Sequence, residues 1–289
     1  MDRGCCVSAA KNINFEDFHL SQETYLQFAG HIYKLAGVNL PYNSKNEALV
    51  KNRLARILRA YNQNSFEEYW KFLKSAGTPE TQEFISALTT NMTSFFREAA
   101  HFTWFGKAIK THFEKLYSAR IWCAAASTGQ EPYTIAITVC ENLPEKHHAR
   151  VKILASDIDT EVLKKGGLGY YKESEMGGLS RDIIFKYFDR TIRDGDVFYR
   201  VKDFLRDMVQ FSQFNLVDQK YEFKKPFDFV FCRNVLIYFD EKTVGKVVEN
   251  LSLALNPGGY LLLGHSESGN IKNALITSMS KAIYQRNSK

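Results

Sequence analysis

The first third of the chain repeats apolar residues at helical spacing. Phe28, Ile32 and Leu35 form one apolar stripe. Three further stripes follow, at residues 50–61, 66–73 and 84–88. Amphipathic helices of this kind predict a small all-helical domain at residues 20–90. The aperiodic polar residues 1–19 before it predict a flexible tail.

After residue 110 the pattern changes to short, continuous apolar runs that alternate with amphipathic segments. The runs occupy residues 121–126, 153–155, 227–232 and 260–264. Unbroken apolar runs are typical of parallel strands that are buried on both faces. Strands that alternate with helices in this way predict an α/β domain with a parallel sheet, here at residues 111–289. We expect residues 91–110 to be a linker that contributes to the ligand site.

Residues 170–214 interrupt this alternation. A short helix is predicted at residues 180–188. Asp194 and Gly195 lie between two runs that contain apolar residues, which indicates a β-hairpin. Residues 209–214 have the pattern of a third strand. We therefore expect a small antiparallel subdomain inserted into the α/β domain.

The strongest candidate for chemistry is the passage that joins the first predicted parallel strand to its helix. Residues 127–129, Ser-Thr-Gly, separate the strand from a helix that has Pro132 near its start. The next strand ends in Asp157. Small residues let a ligand approach the backbone, and an acid at the end of the second strand can accept the hydroxyls of a ribose. This layout predicts a nucleotide-type site.

The glycine content limits the type of nucleotide. Gly129 stands alone where a dinucleotide-binding turn is rich in glycine. A ligand that has a ribose but no phosphates fits better, and S-adenosylmethionine (SAM) is such a ligand. Glu131, at the start of the helix, can then bind its ammonium group. The alternative is an ordinary strand-to-helix turn, with Asp157 as an N-cap.

Two further groups of polar residues are candidates to line this site. The segment TTNMTSFFREAAHF surrounds two phenylalanines with polar side chains, namely Asn91, Thr93, Ser94, Arg97 and Glu98. Arg233 and Asn234 directly follow a predicted central strand. The carboxyl ends of central strands face the ligand crevice in α/β sheets, so we expect both residues there. A capped helix start with its aromatic residues packed between domains is an equally compatible interpretation of the first segment.

The second predicted helix has a group of cations. Its basic residues are Lys51, Arg53, Arg56 and Arg59, with only Glu47 to offset them nearby. Charges on a helix are most often a solvated surface, and that interpretation stays open. The functional interpretation is a docking surface for an acidic partner, whose binding would be sensitive to salt.

Composition narrows the class of protein. The chain has 289 residues, of which 45% are hydrophobic, and a formal net charge of +6. This mild charge suits a local acidic partner better than general nucleic-acid binding. No apolar run is long enough to span a membrane, and the N-terminus lacks the apolar core of a signal peptide, so we expect a cytoplasmic protein. The five cysteines include no CxxC pair, and we expect reduced thiols and no metal site.

Several longer motifs together resemble one family, the chemotaxis receptor methyltransferases called CheR. The motifs are TTNMTSFFRE, AAASTGQEPY, ASDIDTEVL, FCRNVLIYFD and PGGYLLLGHSE. The resemblance implies a helical N-terminal domain, a linker and a Rossmann-like SAM-dependent methyltransferase domain with a small antiparallel β subdomain. It also implies methyl transfer from SAM to glutamate side chains of chemoreceptor cytoplasmic helical domains, with S-adenosylhomocysteine as product. We expect a monomer that acts without nucleic acid and without membrane insertion.

The resemblance also implies roles for individual residues. The residues implied to surround the cofactor are Asn91, Thr93, Arg97, Glu131, Asp157, Asn215, Leu216, Arg233 and Asn234. Among them, Glu131 is implied at the amino-acid end of the cofactor and Asp157 at the ribose. Asn215 and Leu216 are implied beside the adenine. Arg233 and Asn234, which follow the central strand, are implied beside the methionine part of the cofactor.

Arg97 and Tyr238 are implied to lie next to the transferred methyl group, and both are therefore catalytic candidates. The hairpin loop reads RTIRDGD, which departs from relatives that use a docking peptide at a receptor's C-terminus. This departure argues against peptide-tethered docking. The sequence leaves open which receptor and which glutamates are modified, and whether the output is motility.

Three other functions compete with this interpretation. A nucleic-acid methyltransferase would explain the basic helix, but the stretch RNVLIYF lacks the proline of the turn typical of amine-methylating enzymes. A non-catalytic module that senses SAM or acts as a scaffold belongs to a different class, and motifs on both sides of the cleft argue against it. A dehydrogenase is disfavoured by the missing glycines.

Overall fold

The computed structural model describes residues 18–193 and 195–288, and the chain divides into two compact units. One unit comprises the residues up to His31 together with Leu40–Leu88. The other comprises Ile32–Asn39 and Thr89–Lys289. Nearly all of the predicted tail, and Asp194 of the predicted hairpin, lie outside the described residues.

The first unit is helical, as predicted. Its helices are α1 (Gln22–Ala36, of which the residues up to His31 belong here), α2 (Ser44–Ala60), α3 (Phe66–Ser75) and α4 (Thr78–Leu88). The helices form because each buries one apolar stripe, and the ring of Phe28 packs against the rings of Phe66, Tyr69 and Phe84. Ser65 caps α3 by accepting a hydrogen bond from the backbone N–H of Glu68.

The second unit contains the remaining elements of the fold. Its helices are α5 (Ala100–Leu116), α6 (Gln130–Asn142), α7 (Thr160–Leu168), α8 (Arg181–Tyr187), α9 (Asp203–Arg206) and α10 (Glu241–Ala254). Its first strands are β1 (Ala119–Cys123), β2 (Val151–Asp157), β3 (Tyr170–Lys172), β4 (Phe188–Arg193) and β5 (Asp196–Val201). They are followed by β6 (Val209–Gln213), β7 (Phe227–Cys232), β8 (Leu255–Leu263), β9 (Ile276–Ser280) and β10 (Ile283–Arg286).

The main sheet has seven strands in the order β6-β2-β1-β7-β8-β10-β9. The pairs from β6 to β8 are parallel, and β10 runs antiparallel to both of its neighbours. The chain proceeds outward from β1 in both directions, so the strand order reverses beside β1. In such a sheet the ligand crevice lies at the carboxyl ends of the strands at this reversal. The predicted α/β class is therefore confirmed.

Both faces of the sheet are buried, as the continuous apolar runs indicated. On one face Trp122 packs edge to face against Phe214 and donates a hydrogen bond from its Nε1 to Oγ of Ser156. On the other face Phe105 packs against Phe229 and Phe231. Successive residues of β1 and β7 point to opposite faces, and the strands are therefore fixed on two sides.

The small antiparallel sheet consists of β3, β5 and β4 in that order. The prediction that residues 209–214 add a strand to it is wrong, because β6 pairs in parallel with β2 at the edge of the main sheet. A strand pattern gives the exposed and buried faces but does not identify the partner strand. β9 was not predicted at all, since four of its five residues are exposed and it lacks a continuous apolar run.

Across residues 18–193 and 195–288, we find no helix that combines the length and the apolar character needed to cross a bilayer.

Candidate functional site

The turn between β1 and α6 is held by packing against its own domain. Ser127 and Gly129 both have positive φ, of 47° and 96°. A Cβ on Gly129 would lie 2.7 Å from the hydroxyl of Tyr171 and 2.9 Å from Cα of Gly166. Glycine is therefore required here because the surrounding chain approaches closely, and this steric reason is independent of any ligand.

Asp157 ends β2 and is tied to this turn. Its Oδ2 accepts a hydrogen bond of 2.9 Å from the N–H of Ser127, and its Oδ1 accepts one of 3.1 Å from the N–H of Asp159. Burial raises the pKa of this carboxyl to about 6, although the backbone N–H groups oppose the shift. The alternative of Asp157 as an N-cap is wrong, because Asp159 caps α7 by accepting from the N–H groups of Glu161 and Val162.

Asn91 connects this turn to the start of α7. Its Nδ2 donates to Oδ2 of Asp159 over 2.9 Å, and its carbonyl accepts from the hydroxyl of Ser127 over 3.0 Å. The amide is thus engaged with protein groups. Thr93, two positions further on, is partly buried.

Arg233 follows β7 and lies at the centre of a buried ionic network. Its Nη1 is 2.6 Å from Oε2 of Glu131, and its Nη2 is 3.0 Å from Oε2 of Glu98. Nη2 also donates to the carbonyl of Arg97 over 2.6 Å. Oε1 of Glu131 accepts from the thiol of Cys123. The guanidinium therefore faces carboxylates of its own chain, and it holds Glu131 at the start of α6.

Glu98 joins the segment before α5 to the ends of β7 and β8. Its Oε1 accepts from Nδ2 of Asn234, and its Oε2 accepts from the N–H of His265. Burial opposes ionisation of this carboxyl, but hydrogen bonds from Arg233 and Asn234 outweigh it and lower the pKa. The sequence marked Glu98 as a polar lining residue and assigned it no role, although it ends the motif TTNMTSFFRE.

Glu98, His101 and His265 bring potential metal-ligand atoms within 4.8 Å of one another. Both oxygens of Glu98 already accept hydrogen bonds, and the Arg233 guanidinium lies 3.0 Å from one of them. Burial and the nearby Arg233 charge lower the pKa of His101 to about 4, so its imidazole is neutral at pH 7. Because a divalent cation would have to bind beside the guanidinium, we interpret Glu98 as a hydrogen-bond acceptor for its own chain and not as a metal ligand.

The two catalytic candidates, Arg97 and Tyr238, are partly buried. Arg97 directly precedes Glu98, and Tyr238 follows Asn234 in the loop after β7. Nη1 of Arg97 donates to the carbonyl of Met92 over 2.8 Å, while the Arg97 carbonyl accepts from Arg233. Tyr238 ends the short 3-10 turn that follows Asn234, and its carbonyl accepts from the N–H of Asn39 in the same unit.

Asn215 and Leu216 follow β6, so they lie at the same edge of the sheet as Asp157. Nδ2 of Asn215 donates to the carbonyl of Leu35 in the same unit, and its Oδ1 accepts from the N–H of Val217. The Leu216 side chain is buried in the apolar core. Both side chains therefore stabilise the loop after β6.

The cations of α2 are less uniform than the sequence indicated. Arg56 is exposed, whereas Lys51, Arg53 and Arg59 are partly buried. Nη1 of Arg53 donates to the carbonyl of Ala87 over 3.3 Å. Residues of a helix are separated by about 100° of rotation, so the four cations are spread around α2 and do not form one narrow stripe.

The fold and the site define a class. A parallel sheet with an acid at the end of the second strand, polar side chains beyond the central strand and no glycine-rich phosphate loop is the arrangement expected of a SAM-dependent methyltransferase. Residues 23–89 match the family model described as CheR methyltransferase, all-alpha domain. Residues 91–284 match the model described as CheR methyltransferase, SAM binding domain. The chain belongs to the CheR methyltransferase family.

Curated relatives agree with this membership over most of their length. The chemotaxis protein methyltransferase of Salmonella typhimurium is 42% identical over 251 residues, which cover 86% of this chain and 85% of that protein. Chemotaxis protein methyltransferase 2 of Pseudomonas aeruginosa is 38% identical over 93% of this chain and 95% of that protein. The Escherichia coli chemotaxis protein methyltransferase is 37% identical over 93% and 92%.

The resemblance, the fold class and the cofactor inferred from the sequence are confirmed, and the chain is a methyltransferase that uses SAM. The residues present also suit this cofactor chemically. Carboxylates outnumber guanidinium groups at this edge of the sheet: the carboxylates are Glu98, Glu131, Asp157, Asp159 and Glu267, and the guanidinium groups are Arg97 and Arg233. An excess of negative charge on buried and partly buried side chains favours a ligand that has an ammonium and a sulfonium.

Proposed function

We propose that this chain transfers the methyl group of SAM to glutamate side-chain carboxylates of chemoreceptor cytoplasmic domains, giving methyl esters and S-adenosylhomocysteine. The names of the relatives, which are chemotaxis protein methyltransferases, support a substrate in chemotaxis. The observation that carries the proposal is a difference between two arginines. Arg233 is bound to two carboxylates of its own chain, whereas the Arg97 guanidinium bonds the neutral carbonyl of Met92. Arg97 therefore keeps a charge that can meet an incoming carboxylate.

Methyl transfer to a carboxylate requires alignment of the reacting groups more than it requires proton transfer. Bound SAM supplies an electrophilic methyl group on a sulfonium. A glutamate with an ordinary pKa of about 4.3 is already ionised at neutral pH, so a general base is not required. The protein must orient the carboxylate and remove part of its water. Arg97 is proposed to orient it, and the Tyr238 hydroxyl to add a weaker contact.

Asp157 and Glu131 are proposed to bind the ribose hydroxyls and the ammonium group of SAM. Asp157 lies at the end of β2, and Glu131 lies in the first turn of α6, directly after the turn that follows β1. Both positions support this assignment. The contacts of Arg233 with Glu131 support a role in holding this carboxylate in place. Asn91, Thr93, Asn215, Leu216 and Asn234 are proposed to complete the surroundings of the cofactor.

Receptor docking is proposed to involve the cations of α2, with Arg56 as the exposed member. Acidic receptor helices would complement Lys51, Arg53, Arg56 and Arg59. The reaction would take place in the cytoplasm, where these receptor domains lie, and we propose that the enzyme acts as a monomer.

The test is transfer of tritiated methyl groups from SAM to membranes that contain receptors, followed by treatment with base. Carboxyl esters release labelled methanol under base, and we expect most of the label to be released. Receptors with glutamines in place of the modified glutamates serve as the control and should stay unlabelled. Label that resists base would indicate amine methylation instead. Binding of SAM without any transfer would favour the sensing module.

A further inference from the structure

Glu267 binds three backbone N–H groups beyond the ends of two paired strands. Its Oε2 accepts from the N–H of Asn234 over 2.8 Å and from the N–H of Gly264 over 2.6 Å. Its Oε1 accepts from the N–H of Leu236 over 2.7 Å. β7 and β8 are in register up to the pair formed by Cys232 and Leu263, so the carboxylate closes the ladder where the strands separate.

Gly264 shows how closely the two chain segments approach. A Cβ at this position would lie 2.6 Å from Oε2 of Glu267, 2.6 Å from Nδ2 of Asn234 and 2.9 Å from the N of Asn234. Real Cβ atoms do not make contacts this short, so any larger residue must displace both groups. The requirement for glycine is an independent sign that the carboxylate and Asn234 occupy fixed positions.

The loop held by Glu267 contains proposed site residues. Asn234 has a φ of 58°, a left-handed conformation that asparagine adopts more readily than most other non-glycine residues. Its backbone N–H is bound by Glu267, and its side-chain Nδ2 is bound by Glu98. Two carboxylates thus fix the backbone and the amide of one residue, and the turn that leads to Tyr238 follows directly.

The burial of Glu267 has an electrostatic cost that its partners oppose. Burial raises the pKa of its carboxyl, while the N–H groups of Asn234, Gly264 and Leu236 lower it. Glu267 is partly buried, and the backbone donors on both of its oxygens offset part of the cost of removing the carboxylate from water.

We infer that Glu267 is a positioning residue for methyl transfer, because its carboxylate fixes the backbone of the loop from Arg233 to Tyr238. This inference deepens the proposed function and rests on the site assignment made there. A glutamine in its place keeps one carbonyl oxygen and turns an NH₂ group toward a backbone N–H. At least one of the three hydrogen bonds is then lost, and the loop moves.

The experiment compares Glu267→Gln with Glu249→Gln, an exposed glutamate of α10. It also compares Gly264→Ala with Gly245→Ala, where a Cβ meets nothing within 4 Å. SAM affinity is measured by calorimetry, and methyl transfer is measured at saturating SAM and receptor, at a temperature where every variant is folded by near-UV circular dichroism. We expect SAM Kd to rise or kcat to fall by about tenfold or more in Glu267→Gln and Gly264→Ala, as a lost hydrogen bond to a charged group implies.

If Glu267 only stabilises the fold, its replacement should lower the melting temperature but leave the SAM Kd and the kcat of the folded enzyme within about twofold of the controls. That result would overturn the inference. Amide hydrogen exchange in the wild-type protein gives a measurement that does not depend on any variant folding. The N–H groups of Asn234 and Leu236 should be protected, and rapid exchange at both would also overturn it.

SAM affinity does not depend on the methyl acceptor. If receptors stay unmethylated by the wild-type enzyme, the proposed function fails, and the calorimetric comparison still decides the role of Glu267.

Discussion

Arg233 and Glu131 form a buried ion pair, with 2.6 Å between Nη1 of the guanidinium and Oε2 of the carboxylate. The pair joins the end of the central strand β7 to the first turn of α6. The same guanidinium also binds Glu98, which leaves one cation shared between two acids. Removing the cation would leave two carboxylates buried without their main partner.

We expect Arg233→Met to destabilise the fold by about 3–5 kcal/mol, the range seen when one member of a buried ion pair is removed. Urea unfolding followed by circular dichroism measures the change, and Arg181→Met, an exposed arginine of α8, is the matched control. Adding Glu98→Gln to the Arg233→Met variant should recover part of the loss, because one buried charge is then removed. Equal stability of Arg233→Met and Arg181→Met would contradict the buried network.

Local pattern was sufficient to locate Asp157 and Arg233, because each follows a continuous apolar strand and the carboxyl ends of such strands face a crevice. It could not identify what these side chains contact. Arg233 and Glu131 are 102 positions apart, and Arg233 and Glu98 are 135 apart, so their contacts depend on the packing of the whole sheet. The sequence therefore predicts a ligand-facing position for Arg233 but does not predict its two acidic partners.

The incorrect assignment of residues 209–214 to the small antiparallel sheet has a similar physical origin. Hydrophobic period gives the faces of a strand, and residues 209–213 satisfy it equally well in either sheet. The partner is decided by the backbone, where the N–H of Ile153 donates to the carbonyl of Met208 just before β6.

For the cations of α2, charge alone gave no measure of exposure, since long side chains pack their aliphatic parts against the surface.

SAM binding should depend on pH through Asp157. Its pKa is raised to about 6 by burial, so the carboxyl becomes protonated as the pH falls through this value and is a poorer acceptor for ribose hydroxyls. We expect SAM affinity to decline below about pH 6 in the wild-type protein. Asp157→Ala should bind SAM more weakly by about 1.5–3 kcal/mol at neutral pH and lose this pH dependence. Calorimetry at several pH values measures both, with Asp189→Ala on the exposed β4 strand as control.

The raised pKa of Asp157 has the opposite effect on the stability of the ligand-free protein, which should decrease as the pH rises. A raised pKa means that folding disfavours the ionised carboxyl, so its contribution to stability is full below the unfolded pKa and is lost as the pH rises through about 6. The change from 3.8 to about 6 corresponds to roughly 3 kcal/mol. We expect Asp157→Asn to reduce this part of the pH dependence in urea unfolding. An unchanged profile would show that Asp157 titrates normally.

Arg97→Ala should reduce kcat by more than it weakens SAM binding, if Arg97 orients the incoming carboxylate. An interaction made with the reacting group appears in turnover, whereas an interaction with the cofactor appears in its Kd. Arg97→Lys should recover only part of the rate, because an ammonium cannot form a two-pronged contact with a carboxylate. The comparison uses Arg181→Ala as control. Weak SAM binding together with normal turnover at saturation would reassign Arg97 to the cofactor.

Arg56 is the cation of α2 that best tests docking of an acidic receptor, because it is the exposed one of the four. Reversal of both Arg53 and Arg56 would mix two effects, because Arg53 donates to the carbonyl of Ala87 and its replacement also disturbs the helical unit. Arg56 is exposed, so Arg56→Glu changes charge with little effect on packing. Lys246→Glu on α10 makes the same change of charge at another exposed position and is the control.

If α2 attracts acidic receptor helices, Arg56→Glu should raise KM for receptor and leave SAM affinity unchanged. Charges at the rim of an interface act mainly through the rate of encounter, and salt screens them. The kcat/KM of the wild-type enzyme should therefore fall as salt rises, and that of Arg56→Glu should change less or in the opposite direction. The Lys246→Glu enzyme should follow the wild-type curve. Identical salt curves for all three enzymes would mean that Arg56 belongs to a solvated surface, and receptor recognition would then have to be sought in the small antiparallel sheet.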